Sequence, residues 1–476
     1  MNFETPMPNE LFSRRELLLR GGGGFGAVAL SGMFARDKAL AGNATPAGRA
    51  HFAPRAKNVI FLFMEGGPSH IDLFDPKPLL NKLAGQRLPK SFKRPITAMG
   101  EAESPLLASP RKWKRWGQSG IWVSDWLPHI GGCVDDFAVI HSCWTNGINH
   151  SGGVCQMNTG QPLAGRPSLG SWVNYGLGTA NENLPAFVVM TDTKSTPVNG
   201  PRNWSTGFMP AAYQGIRLSP GKEPFLHLNL PKSVTPQMHR RKLELLRRLN
   251  EQHQATRKHQ SELEARIRSY ELAYRMQSTA PEAVDLGRET EATKQLYGFG
   301  NKDTEPFGRC CLLARRMVER GVRFVQIFHR GWDQHGNLTG DLPRQARDID
   351  QPSWALVQDL KQRGMLDDTL VIWGGEFGRT VYCQGKLTKT TYGRDHHPRC
   401  FPIWMAGGGI QGGIVHGETD DFSYNIEKDP VHVRDINATI LHCLGIDHER
   451  LSLRHQGLDV RLTGVEEARV VREILI

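Results

Sequence analysis

The chain has 476 residues, of which 39% are hydrophobic, with 51 glycines, 29 prolines and a formal charge of +11. This balance excludes a disordered or fibrous chain and suits a loop-rich globular domain carrying insertions. The basic excess favours anionic partners such as sulfated or phosphorylated polymers, yet no DNA- or RNA-binding module is recognisable, so no nucleic-acid partner is expected.

Residues 1–41 read as a twin-arginine export signal. Ser13-Arg14-Arg15-Glu16-Leu17 is followed by a weakly apolar Gly/Ala run from Gly21 to Phe34 and by the small residues Ala39-Leu40-Ala41. The four glycines at 21–24 argue against an ordinary helix. A periplasmic or extracellular location is expected. Residues 42–56 read as a leader, 57–465 as one domain, and 466–476 as a C-terminal tail. No later stretch is apolar for long enough to span a bilayer, so no transmembrane segment is expected in the mature chain.

Asn58–Met64 is a continuous apolar run that stops at Glu65-Gly66-Gly67-Pro68. Such a run suits a strand covered on both faces. Phe137–His141, Ala186–Met190, Val322–Phe328, Thr369–Trp373 and Phe401–Met405 are further predicted strands. Helical segments at Arg309–Arg320 and Ser353–Arg363 alternate with them, and Asp435–Leu444 reads as a late helix closed by Gly445. The alternation predicts an α/β fold: a three-layer α/β/α sandwich with a mostly parallel sheet. The charged stretch Met238–Met276, inside an insertion at about 236–295, reads as one long helix or a helical pair. The eight cysteines include no Cys-x-x-Cys pair, which argues against a zinc ribbon. In an exported protein one or two disulfides can form.

Four clusters follow predicted strands or turns. The first is Glu65-Gly-Gly-Pro-Ser69-His70-Ile-Asp72 and the second Trp332-Asp333-Gln334-His335. The third is Gly375-Glu376-Phe377-Gly378-Arg379 and the fourth Arg394-Asp395-His396-His397. Carboxylates and imidazoles together are ligands for zinc, manganese, calcium or magnesium. A parallel sheet gathers strand ends along one edge, where open α/β sheets bind ligands. Adjacent side chains diverge in an extended segment, so one of His396 and His397 is expected to reach a metal and the other to move a proton.

These motifs, in this order, resemble the alkaline-phosphatase/sulfatase superfamily. The chain is more closely similar to a sulfatase-like bacterial family known as domain of unknown function family 1501. The resemblance implies an alkaline-phosphatase-like domain with one or two divalent ions, and the leading expectation is an exported metal-dependent hydrolase of sulfate or phosphate esters, with sulfated polysaccharides as one candidate substrate. Glu65, Asp333, His335, Glu376 and His397 (or His396) fall at the implied metal positions, with His70 and Asp72 as compensating ligands. The segment His150-Ser151-Gly152-Gly153-Val154-Cys155-Gln156-Met157-Asn158-Thr159-Gly160 corresponds to the nucleophile segment of sulfatases. It lacks the Cys-x-Pro-x-Arg pattern, which argues against a formylglycine nucleophile. Ser151 is then the nearest hydroxyl nucleophile, with Ser69 or a metal-activated water as alternatives, His150 or His396 as proton carrier and Arg379 or Arg394 as anion holder. Phe377 stands where the superfamily has a ligand histidine. A sulfatase-like scaffold that binds sulfated glycans without catalysis, or a phosphatase or phosphodiesterase, are the alternatives.

Overall fold

In the computed structural model, the described residues are 50–92, 103–109, 111–193, 195–219, 224–225, 233–255, 261–384, 387–388 and 392–476. The export signal predicted at 1–41 lies outside them.

The apolar runs become strands of one sheet. β1 (Asn58–Glu65) is its centre; a hairpin of β2 (Trp113–Trp116) and β3 (Ile121–Ser124) stands apart from it. The sheet continues with β4 (Phe137–Trp144), β5 (Phe187–Thr191), β6 (Ile216–Arg217), β7 (Phe324–Arg330) and β8 (Thr369–Gly374). A second hairpin pairs β9 (Gly378–Cys383) with β10 (Arg394–His397), and β11 (Phe401–Ala406) and β12 (Ile414–His416) return to the sheet. The spatial order is β12-β4-β11-β8-β1-β7-β5-β6, with the short strand Val431–His432 also on β4. Every pairing in this sheet is parallel except those of β11, which runs antiparallel to both β4 and β8.

β1 shows why the sheet needs cover on both faces. Val59, Phe61 and Phe63 enter one core, while Ile60, Leu62 and Met64 enter another. The first core is closed by α1 (His150–Thr159) and by the late helix Val433–Cys443. The second is closed by the helices Glu305–Glu319 and Leu338–Gln362. The result is the expected three-layer arrangement with a mostly parallel sheet.

The charged stretch is a helical pair, Pro236–Ala255 and Ser261–Val284. Met276, Ala280 and Ala283 tie the second helix into the core. Ion pairs such as Arg247–Glu251 at 2.6 Å are exposed and add little stability. Residues 466–476 pack on the domain: Ile474 is buried and the Ile476 amide donates to the Gly409 carbonyl at 3.0 Å. All eight cysteines are buried free thiols, so the disulfides allowed by an export route do not form in this structure. Among the described residues no helix is long and apolar enough to cross a membrane.

Candidate metal centre

Strand direction assembles the site. β1, β4, β7 and β8 are parallel, so Glu65, Trp144, Arg330 and Gly374 reach the same edge of the sheet. β11 runs the other way, so its amino end, with His396 just upstream, comes to that edge as well. Past β4, the Asn149 side chain caps α1 by accepting the Gly152 amide proton at 2.9 Å, which makes His150 the first helical residue. A Cβ on Gly153 would lie 3.2 Å from the Glu376 Cβ and 3.0 Å from the Phe377 ring. The bare glycine lets α1 approach the turn after β8.

His150, Asp333, His335 and His396 converge, each offering a ligand atom within 4.8 Å of the others. His150 Nε2 lies 3.1 Å from Asp333 Oδ2. His335 Nε2 is 2.8 Å and His396 Nε2 3.3 Å from Asp333 Oδ1, and these two nitrogens are 3.1 Å apart. The Asp333 side chain is 40% exposed, so the cluster opens to solvent.

The imidazole tautomers suit a cation. His150 Nδ1 sits 2.7 Å from Glu376 Oε1, and His396 Nδ1 sits 3.3 Å from the Ile148 carbonyl oxygen. Both partners can only accept, so both Nδ1 atoms carry a proton, and in the neutral form of each ring the Nε2 lone pair faces the cluster. His150 Nε2 is buried and has no hydrogen-bond partner of good geometry despite its 3.1 Å approach to Asp333. A carboxylate behind a histidine that faces other ligands is the usual outer support of a metal site. Three nitrogens and one oxygen form a donor set that suits zinc and similar borderline cations better than calcium or magnesium, which take oxygen ligands.

Without a cation the charges settle differently. Burial alone would lower the His150 pKa, but the Asp333 and Glu376 carboxylates beside the ring raise it to about 9. Burial would raise that of Asp333, but the adjoining imidazoles of His150, His335 and His396 and the Arg379 charge hold its carboxyl far below the usual range. His396 is pushed below its ordinary value, chiefly by burial.

Residues 56–475 match the family described as "Protein of unknown function (DUF1501)". The chain belongs to this family. No curated protein matches it. Among solved structures, this DUF1501 protein is similar to a sulfatase from Pseudoalteromonas sp., at 13% identity and a TM-score of 0.34, over 84% of this chain and 69% of that one. A phosphonate monoester hydrolase from Silicibacter pomeroyi matches at 11% identity and a TM-score of 0.34, over 88% and 76% of the two chains. The alkaline phosphatase from the Antarctic bacterium TAB5 matches at 11% and 0.29, over 76% and 95%. Likenesses this low carry no argument about what the DUF1501 chain binds or turns over.

The remaining predicted residues are placed around the cluster rather than in it. Glu376 stands behind His150, is fully buried, and accepts the Gly66 amide at 2.9 Å. Glu65 is held by Arg330 at 2.8 Å and by the Val198 amide at 2.8 Å; burial pushes its carboxyl pKa up. His396, and not His397, faces the cluster, because alternate residues of β10 point to opposite sides. His397 is enclosed, with Nε2 donating to the Tyr424 carbonyl at 2.7 Å. His70 is enclosed beside it, donating from Nε2 to the Ser423 carbonyl at 3.1 Å. Asp72 and Arg394 form a fully buried pair at 2.8 Å, and Arg394 also donates to the carbonyls of Thr380, Leu107 and Ala108. Arg379 is buried too: it donates to the Gly66, Gly67, Trp332 and Arg394 carbonyls and holds Asp333 Oδ1 at 2.5 Å. Both arginines therefore brace the turns from inside. Ser151 is exposed and donates to Asn199 Oδ1 at 2.8 Å.

Sequence reasoning missed the Ile148 carbonyl, the Asn149 cap and the two glycines that let the turns meet. Gly66 is the sharper of these, with φ +119° and a hypothetical Cβ 2.6 Å from the Asp333 amide nitrogen. Gly66→Ala is expected to displace the Asp333 loop and to cost more than about 1 kcal/mol. Urea unfolding and metal content check this together; unchanged values in both would refute the close approach.

Proposed function

We propose that this DUF1501 protein is an exported, metal-dependent hydrolase of sulfate or phosphate esters. The observation that supports the metal most directly is the pair of Nε2 atoms of His150 and His396, each ring with its Nδ1 turned to an acceptor, converging on Asp333 and His335 at a solvent-open sheet edge. The ester class rests on the resemblance in motif order, and export on the twin-arginine segment. His150, Asp333, His335 and His396 would hold one cation. Bound there, a divalent cation supplies polarisation of an ester oxygen and activation of water or a hydroxyl.

The chain's own groups divide the remaining work. Glu376 orients His150 and keeps its proton on Nδ1. Arg379 holds Asp333 against the turn. The Phe377 ring, 5.1 Å from His150 and 4.6 Å from His396, walls the inner side against water. Ser151 would act as nucleophile only after turning away from Asn199.

One observation favours the non-catalytic reading, a scaffold that binds anionic glycans. The two arginines expected to hold the ester anion, Arg379 and Arg394, are both satisfied inside the protein.

The test is elemental analysis of purified protein, then hydrolysis of aryl sulfate and aryl phosphate with and without zinc. About one tightly held ion and metal-dependent release of either product supports the reading. Metal held without hydrolysis of either ester selects the scaffold. Uptake should depend on pH. In the metal-free protein His150 keeps a second proton up to about pH 9, and the cation must displace it. Affinity should thus rise roughly tenfold per pH unit below that point. Competition with a chelating dye would show this, and a pH-independent affinity would exclude His150 as a ligand.

A further inference from the structure

The ends of β5 and β6 open onto a cavity that shares no residue with the metal cluster. It measures about 280 Å³ and is walled on one side by the helix Glu305–Glu319. Residues two apart on a strand share a face, so Asp192, just past β5, follows Met190 toward the side that this helix covers. Met190, Leu218, Cys310 and Leu313 form the apolar walls, each no more than 6% exposed. Of the charged side chains that line it, Glu305 and Arg309 are partly exposed and neutralise each other at 3.1 Å. Lys302 is exposed.

Asp192 differs from the other two acids and bases of the lining, because its side chain is only 5% exposed. Its Oδ2 accepts from His329 Nδ1 at 2.5 Å, and His329 Nε2 faces Gln345 Oε1 at 2.9 Å. Both ring nitrogens thus meet acceptor oxygens, so the ring is an imidazolium and offsets the Asp192 charge. The other oxygen, Asp192 Oδ1, is buried and has no hydrogen-bond partner among the described residues. A buried carboxylate oxygen without a donor is costly, and buried polar atoms are ordinarily paired.

We infer that this cavity is a binding site for a small neutral molecule that carries one hydroxyl on an apolar ring, such as a phenol. The hydroxyl donates to Asp192 Oδ1, and the ring fills the space among Met190, Leu218, Cys310 and Leu313. An amine is a poorer match, because the His329 imidazolium already balances Asp192. An anion is a poorer match too, because it would meet the Asp192 carboxylate. A volume of about 280 Å³ lies at the small end of ligand pockets and suits a single ring. Cys310 adds no covalent step, since burial pushes its thiol pKa up and keeps it protonated. The site uses neither the metal nor hydrolysis, so it stands or falls separately from the proposed activity.

The test is fluorine NMR titration of full-length protein with p-fluorophenol, fluorobenzene and p-fluorobenzylamine. A chelator in every sample keeps the probes off a metal ion. p-Fluorophenol is expected to bind, and fluorobenzene, which lacks the donor, to bind roughly tenfold more weakly. In Asp192→Asn, His329 keeps the side-chain oxygen and turns the amide NH₂ to the cavity. This variant should weaken p-fluorophenol by roughly fivefold or more and leave fluorobenzene unchanged. Cys310→Met keeps the Asp192–His329 pair, fills the cavity with a longer side chain, and should abolish binding of both. The remote control Arg454→Gln should change nothing. Circular dichroism on each variant checks the fold, and the comparison of probes on the unaltered protein decides the matter even if Asp192→Asn does not fold. Four results would overturn the proposal: no binding of p-fluorophenol, which leaves water as the occupant; equal binding of fluorobenzene; tighter binding of p-fluorobenzylamine; or undiminished binding of p-fluorophenol in Cys310→Met.

Discussion

Asp333→Ala is expected to strip the protein of its metal and to abolish any metal-dependent ester hydrolysis. The carboxylate is the hub of the cluster. Its Oδ1 lies within 3.3 Å of His335 and His396 and is held by Arg379, while its Oδ2 faces His150 at 3.1 Å. Removing it deletes one ligand and leaves three imidazoles and a guanidinium with only Glu376, behind His150, to balance them. Losing an outer support of a metal ligand costs about 10–100-fold in affinity, so loss of the hub should exceed about 100-fold. The fold should survive, because Arg379 keeps its bonds to the Gly66, Gly67, Trp332 and Arg394 carbonyls. The Glu376→Gln variant gives the graded comparison: it keeps all four ligands, weakens the hold on His150, and should lose metal affinity within the 10–100-fold range. Elemental analysis and chelator competition on both variants are sufficient. Full metal retention in Asp333→Ala would move the site elsewhere in the molecule.

Stability should fall steeply as pH drops from about 6.5 to 4.5. His70 and His397 are enclosed, 1% and 0% exposed. Burial lowers their pKa values to about 4 and about 3, from an ordinary 6.5. Each folded-state value lies below the unfolded one. In this window the unfolded chain therefore binds a proton that the folded chain refuses, and stability present above pH 6.5 is lost on acidification. For His70 alone the shift corresponds to about 3 kcal/mol by pH 4. His129, His150 and His329 are raised instead, by Asp350, by Asp333 and Glu376, and by Asp192 respectively, each against the effect of burial where present. Below pH 6.5 they are protonated in both states and add no slope. Asp348, raised to about 6 by burial, and Glu65 oppose the loss, but His432, lowered to about 3, adds to it. The urea midpoint at neutral and at acid pH measures the effect. A His70→Gln variant should flatten the dependence, and a flat wild-type profile would show that the two imidazoles are not enclosed in solution.

Much of the architecture was legible because its signals are local. An eight-residue run such as Asn58–Glu65 with almost no polar side chain can only be a strand covered on both faces. The turn after it is marked by Gly66-Gly67-Pro68. Asp333 and His335 stood out because a carboxylate and a histidine two residues apart follow a strand. The helical pair at 236–284 was visible in its composition, although the division into two helices was not.

The division of labour among the site residues was not legible. Glu65, Glu376 and Asp333 look alike as acids after strands, yet only Asp333 lies among all three imidazoles, while Glu376 meets His150 from behind. Glu376 lies one layer deeper because Gly153 lets α1 close over it, and Glu65 turns to Arg330 instead. His396 and His397 differ by one position on a short strand, so the β9–β10 pairing decides which enters the cluster. Arg379 and Arg394 were read as anion holders from their charge. Backbone carbonyls of the surrounding turns, such as those of Gly67, Trp332 and Thr380, accept from both and draw them inward. The sequence by itself determined the α/β class, the strand ends that carry acids and histidines, and membership of its family, since periodicity and turn residues act over a few positions. The tertiary structure alone decided which acid is hub and which is support, because that depends on side chains far apart in the chain sharing one buried volume.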